Sequence, residues 1–358
     1  MNEAQRLQLM QRNKRIIEAI KAKAQKVCPG AVDLIAVTGS FQSGDFYEKS
    51  DLDLLIIINS DAGYRISKCF ILGDVAHDIY CHSWQRMEEM AEYNDPHVLK
   101  LIDVGIVYHS SEEALQRYNA LREKLLGLLH RPLGWQTLGK IREHLNSALQ
   151  AFGRLCLEDS LFSCRPLSAE FLYFIEFIVY MCNQAYIRHG IQGIPEEICG
   201  LKKLPENFRE NYFALINAQN VSAIRQSAKL LLKGARSLIE AAESEAPAKP
   251  PITAQALEGS YEEIYSNWRN KVYRAAEKGD RYLALMSMAS CQVFYQEMAE
   301  RYDIPSFNLF TRFTPEDLQQ AVQDFERVMQ EYKTLYDREN TPVCRYDNIE
   351  SFISDYLR

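Results

Sequence analysis

The chain has 358 residues, 47% apolar and 25% charged, with a formal net charge of −7. That length predicts two or three domains, each able to bury a core, and the acidic balance argues against a protein that coats a long nucleic acid, which would carry a basic excess. No apolar run reaches the roughly 18 residues that span a bilayer, and the opening MNEAQRLQLMQRNKR lacks a signal-peptide core, so a cytoplasmic location is expected. The nine cysteines are odd in number, scattered, and form no CxxC pair. They read as buried or free thiols in a reducing compartment, not as a zinc site.

In chain order, residues 3–27 carry Leu7, Ile16, Ile17, Ile20, Ala24 and Val27 near helical spacing, which predicts an amphipathic helix stopped by Pro29-Gly30. DLIAVTG at 33–39 predicts a strand, followed by a Gly/Ser-rich turn and a short helical stretch. DLDLLIII at 51–58 predicts a second strand, apolar on both faces beyond Asp53 and therefore central in its sheet. A Gly73-Asp74 turn leads to a third strand at 75–83, a helix around 84–92 and a strand at 104–110. Ser111 then opens a helix with a partial capping box. From Trp135 the pattern is helical, with strong segments at 136–158, 168–189 and 220–242. The segment 168–189 is apolar nearly all round, as in the middle of a bundle. A Pro-, Ala- and charge-rich linker at 243–255 precedes three more helical segments, near 257–277, 280–302 and 314–338. The fold expected is an α/β (α+β) catalytic domain with a mixed sheet over 1–130, a helical bundle over 131–245 and a C-terminal helical domain over 256–358.

The chemistry concentrates in Gly39-Ser40-Phe41-Gln42-Ser43-Gly44 and, five residues on, Ser50-Asp51-Leu52-Asp53-Leu54. Asp51 and Asp53 stand two apart, so on a strand both carboxylates face one way. Such a pair repels itself unless a cation intervenes, and oxygen-rich sites of this type suit Mg²⁺. Two such ions about 4 Å apart can clamp the attacking and leaving oxygens of an in-line phosphoryl displacement. Gly39 lets backbone N–H groups approach a phosphate, Ser40 adds donors, and Gly44 permits the return toward the aspartates. A third carboxylate is needed from a neighbouring strand. Asp78 is the first candidate, and Asp74, which reads as a cap on the Gly73 turn, is the alternative.

The spacing GSxxxGxxxxxSDxDL over Gly39–Leu54 resembles nucleotidyltransferases of the DNA polymerase β superfamily. The resemblance covers about 16 residues by motif and roughly residues 30–110 by strand-turn-strand context. It implies that Asp51 and Asp53 bind two Mg²⁺ ions, that Gly39 and Ser40 hold the β,γ-phosphates of an NTP, and that Asp78 binds the catalytic metal and takes the acceptor proton. Many minimal members carry Arg within GSxARG, whereas this chain has GSFQSG. Lys49 or a residue of the helical domain would have to supply that charge. Phe41 and the Ser50-Asp51 pair look more like the kanamycin and lincosamide nucleotidyltransferases, which groups Ser50 with the nucleotide-binding residues. The helical segments 136–242 resemble, more weakly, the bundle that follows the catalytic domain there.

Other features have plainer readings beside the functional ones. Glu170 and Glu176 could face the acceptor, or point to solvent or pair with Arg. Arg225, Lys229, Lys233 and Arg236 form a stripe that reads first as a solvated face, and His77 and His82 read first as structural. The unit after residue 256 shows no chemistry; closing the acceptor cleft, forming a homodimer contact and adding stability are all open to it. The resemblance implies transfer of a nucleoside monophosphate, with AMP from ATP expected, to a small polar acceptor of the aminoglycoside or lincosamide kind. The other reading is a regulatory or toxin–antitoxin-type protein that nucleotidylates or binds a protein partner.

Overall fold

The structure, a computed structural model, describes residues 2–358. It divides into two compact units, the first extending to Pro247 and the second spanning Ala248–Arg358.

In the first unit, helix α1 (Glu3–Val27) begins at an Asn2 capping box and ends beside Pro29-Gly30. Both ends follow from local chemistry: the Asn2 side chain accepts the Gln5 N–H, and proline and glycine cannot continue the helix. Strand β1 (Val32–Val37) leads into the one-turn helix α2 (Gly39–Ser43), and β2 (Leu54–Ile58) follows. Then come β3 (Lys68–Leu72), β4 (Val75–Ile79), β5 (Cys81–Ser83), α3 (Trp84–Ala91), α4 (Leu99–Ile102), β6 (Gly105–His109) and α5 (Glu112–His130). Ser111 caps α5 by accepting the Ala114 N–H.

The main sheet runs β5-β2-β1-β6 and is mixed: β1 is antiparallel to β2 and β6, while β2 and β5 are parallel. All five residues of β2 are buried, as its two-sided apolar sequence predicts for a central strand. Burying each Leu or Ile side chain there contributes about 1.5–3 kcal/mol of gross stabilisation.

The expected strand at 75–83 divides at Tyr80. Its first part pairs with β3 in a separate hairpin, and its second joins β2. Strand β3, KCFIL, went unforeseen because four of its five residues are exposed, so the pattern offers no buried face to read.

The helical part comprises α6 (Trp135–Leu157), α7 (Leu161–Cys182), α8 (Ile194–Cys199), α9 (Phe208–Asn217) and α10 (Val221–Ser244). One continuous core joins these helices to the sheet through Leu34, Leu55, Tyr93 and Tyr118. Helix α7 begins seven residues before the expected start, with Pro166 inside it, and ends seven residues before the expected 189. The end has a local cause. Asn183 folds back so that its side-chain N–H₂ donates to the Val179 and Lys203 carbonyls, and Gln184 takes a left-handed conformation at φ 52°. The residues released from the helix form a loop ahead of α8.

The second unit contains α11 (Ala254–Leu257), α12 (Ser260–Ile264), α13 (Asn270–Lys278), α14 (Arg281–Arg301), α15 (Leu318–Arg338) and α16 (Ile349–Tyr356). Its core is aromatic, with Tyr295, Phe307, Phe325, Tyr332 and Tyr336 buried together. Ser260 Oγ bridges the Tyr332 and Tyr336 hydroxyls at 2.7 and 3.0 Å, which satisfies polar tips inside an apolar centre. Tyr265, Trp268 and Phe294 pack against this core. No described helix is long and apolar enough to cross a membrane, and all nine cysteines are free.

Candidate active site

The ends of β1 and β2 bring the two short motifs together. The Thr38 N–H donates to the Asp53 carbonyl at 3.1 Å, continuing the β1–β2 ladder one step past the strands. Gly39 follows at φ 65°, in the left-handed region, and opens α2. Any β-carbon there would overlap Asp53 Oδ2, so only glycine permits both the backbone conformation and the approach of the carboxylate. Gly44, at φ 88°, ends α2 by donating its N–H to the Ser40 carbonyl. Its own carbonyl accepts from Arg6 at 3.1 Å.

Asp51, Leu52 and Asp53 precede β2 instead of lying within it, yet the alternation holds. Leu52 is buried in the core beneath the sheet, and the half-buried aspartates flank it. The segment is fixed from behind by a buried histidine: the Leu52 N–H donates to His77 Nδ1 at 3.4 Å. Burial lowers the His77 imidazole, and the Arg12 charge lowers it further against the opposing pull of Asp51. A neutral ring is what the hydrogen bond needs, because an imidazolium has no lone pair to accept with. His82 is buried too, pushed down to about 4 by burial with Lys100 and Arg86 adding to the effect.

Burial pushes the Asp53 carboxyl up, and the nearby Asp51 charge pushes it further, opposed by Lys100. Lys100, on α4, is lowered by burial and held up by Asp53 and Asp78. It is a half-buried cation of the site and carries no motif signature.

Gly39, Ser40, Lys49, Ser50, Asp51 and Asp53 all line one cleft of about 860 Å³. Asp45, His97 and Lys100 line it as well. The opposite wall is the loop after α7 and the start of α8, including Arg188, His189, Gln192, Glu196 and Glu197. Ser50 is buried, with Oγ accepting the Tyr47 N–H at 3.0 Å, whereas Lys49 is exposed.

Gly44 and Asp78 do not line the cleft. Asp78 lies on the exposed face of β4, where its carboxylate accepts the Cys69 thiol at 3.0 Å. The parallel β2–β5 pairing joins Ile56–Ile58 to Cys81–Ser83 and stops short of both Asp53 and Asp78. Asp74 is exposed at the β3–β4 turn. Among the described residues, no three carboxylate, histidine or cysteine side chains converge as a ready metal cage. Asp51 and Asp53 still fit a divalent cation: they are hard oxygen donors, close enough for the Asp51 charge to disfavour that of Asp53, in a pocket only glycine leaves open.

Sequence reasoning did not find the bundle wall. Glu197 accepts the N–H groups of Arg188 and His189 at 3.2 Å, which orders the loop, and Arg188 stacks over Tyr186 at 5.2 Å. The acids of α7 have other partners. Glu170 is in an exposed pair with Arg154 at 2.8 Å, and Glu176 accepts the Tyr212 hydroxyl at 2.5 Å. Arg225 caps the end of α6 through the Leu155 and Glu158 carbonyls.

The family described as nucleotidyltransferase domain matches this chain over residues 14–149. Among solved structures, a nucleotidyltransferase-like protein from Exiguobacterium sibiricum 255-15 is similar at 12% identity and a TM-score of 0.33, covering 65% of this chain and 75% of that one. No curated protein matches the sequence. The residues that carry Gly39-Ser40 and Asp51-Leu52-Asp53 thus lie within a nucleotidyltransferase domain.

Proposed function

We propose that the protein moves a nucleoside monophosphate, AMP from ATP by preference, onto a hydroxyl of a small polar acceptor of the aminoglycoside kind, releasing pyrophosphate. The observation that carries this reading is the pairing of Gly39-Ser40 with Asp51 and Asp53 on one wall of a single cleft. Its volume, about 860 Å³, suits an NTP with a small second substrate.

In this reading Asp51 and Asp53 hold divalent metal, Mg²⁺ by preference, and Asp78 becomes a third ligand only by leaving Cys69. Bound metal would neutralise the phosphates and stabilise charge on the reacting oxygens. Gly39 and Ser40 present backbone and hydroxyl donors to the β,γ-phosphates, with Ser50 and Gly44 keeping the loop in place. The cation missing from GSFQSG is supplied by Lys100 from below and Arg188 from the opposite wall, with the exposed Lys49 at the rim. Asp45, Glu196 and Glu197 give the acceptor side acidic character suited to a cationic, hydroxyl-rich molecule.

The test is pyrophosphate release from each of the four NTPs with Mg²⁺, run against aminoglycoside and lincosamide panels. Acceptor-dependent release supports the reading. NTP binding without release under any of these conditions would contradict it and favour a protein acceptor.

A further inference from the structure

The transfer needs a group to take the acceptor's proton, and three of the five carboxylates that line the cleft have other work, with Asp45 and Glu196 exposed on the acceptor side. Asp51 and Asp53 are the proposed metal ligands, and Glu197 is engaged by two backbone N–H groups. Asp78, the residue that the resemblance nominates, faces Cys69 outside the cleft.

We infer that His97, held by Asp95, is the base that accepts the proton of the attacking hydroxyl; this rests on the proposed transfer to a hydroxyl. His97 lines the same cleft as Asp51 and Asp53. Asp95 Oδ1 accepts the His97 backbone N–H at 2.8 Å and lies 3.5 Å from ring Nδ1. That contact favours the tautomer with the proton on Nδ1 and leaves the Nε2 lone pair available. The ring stacks on Tyr173 with centroids 5.9 Å apart and meets Phe177 edge-on at 5.0 Å. The intervening Pro96 carbonyl accepts the Ile187 N–H at 3.1 Å, tying the segment to the bundle wall. A histidine oriented by a carboxylate, braced by two aromatic rings and bordering a phosphoryl-transfer cleft has the parts of a general base.

In the step, the acceptor oxygen bonds to the α-phosphorus while its proton passes to His97 Nε2. The bond from that phosphorus to the bridging oxygen breaks, and pyrophosphate leaves with the electron pair. The imidazolium, stabilised by Asp95, then returns its proton to water. The charged and titratable groups acting on the pair are Arg86 from α3 and Tyr173 and Glu176 from α7.

The experiment compares wild type with His97→Gln and Asp95→Asn in Mg-ATP turnover against the same acceptor panels, recording kcat, KM and the pH profile of kcat. Mg-ATP binding is measured separately, to show that each variant is folded. His97→Gln should lower kcat by about 10²-fold or more, leave Mg-ATP binding within about threefold, and abolish the acid limb. Asp95→Asn should lower kcat while leaving the KM for Mg-ATP unchanged, because the ring loses the carboxylate that orients it. A His97→Gln enzyme with kcat within about threefold of wild type and its acid limb intact would overturn the assignment, as would removal of the limb by Asp78→Asn alone. If wild type releases no pyrophosphate with any acceptor, the transfer reading falls and this assignment with it; failure of the His97 role alone leaves wild-type turnover in place.

Discussion

The two walls of the cleft are built in different ways. The sheet wall is compact in sequence: Gly39 to Asp53 arises from two adjacent strand ends, locked by the Thr38–Asp53 ladder bond and the buried His77. The bundle wall comes from residues 187–197, more than 130 positions further along, and its shape depends on where α7 stops. Rigid strand ends suit a task that tolerates little misplacement, such as holding phosphates and metal. A loop ordered by a few hydrogen bonds suits the choice of acceptor, because it can vary without disturbing the sheet.

Breaking the sheet wall should cost most. Gly39→Ala places a β-carbon against Asp53 and forces a left-handed residue, a backbone cost of about 1–2 kcal/mol. Pyrophosphate release should fall about 10²-fold or more with every acceptor, since displaced donors lose transition-state stabilisation. Steady-state kinetics against several acceptors would check that the loss is uniform.

Cations on the two walls should behave differently. Lys100→Met should raise the KM for NTP about tenfold, the equivalent of losing one charge-assisted contact of about 1.5 kcal/mol. Arg188→Ala should weaken NTP binding less and should change the relative kcat/KM among acceptors. An equal and uniform effect of both substitutions would erase the functional distinction between the walls.

The smallest effect lies behind the bundle wall. Burial pushes the Glu176 carboxyl up, partly offset by its hydrogen bond from Tyr212. The folded state then holds that proton more tightly than the unfolded chain. Stability from this group is present at low pH and is lost as pH rises above the ordinary glutamate range. Glu176→Gln cannot ionise, so it should gain stability relative to wild type with rising pH in chemical denaturation.

The same contrast between walls decides what could be read in the sequence. Local rules placed α1, β1, β2, the α5 cap and the Gly39–Asp53 constellation, because capping, period-2 burial and a glycine at positive φ act within a few residues. The mixed sheet followed by helices was legible for the same reason. Strand β3 was not legible, since an exposed edge carries no alternation. The end of α7 was missed because YMCNQAYIRH continues a helical composition, and the break comes from Asn183 bonding to Lys203, a tertiary partner. Lys100 and Arg188 have no motif and enter the cleft only through packing. Asp78 was expected on a neighbouring strand as a third carboxylate; it lies on β4, and the β3–β4 pairing that sets its carboxylate against Cys69 was beyond local inference.

The central claim is that Asp51 and Asp53 form the metal-dependent nucleotide site of the sheet wall. Its most direct test is a calorimetric titration of wild type and Asp53→Asn with a non-hydrolysable ATP analogue, with and without Mg²⁺. The account predicts binding to wild type that depends on Mg²⁺ and falls by an order of magnitude or more in the variant, which loses a metal-binding charge. Equal affinity for the analogue in both proteins, with or without Mg²⁺, would contradict it.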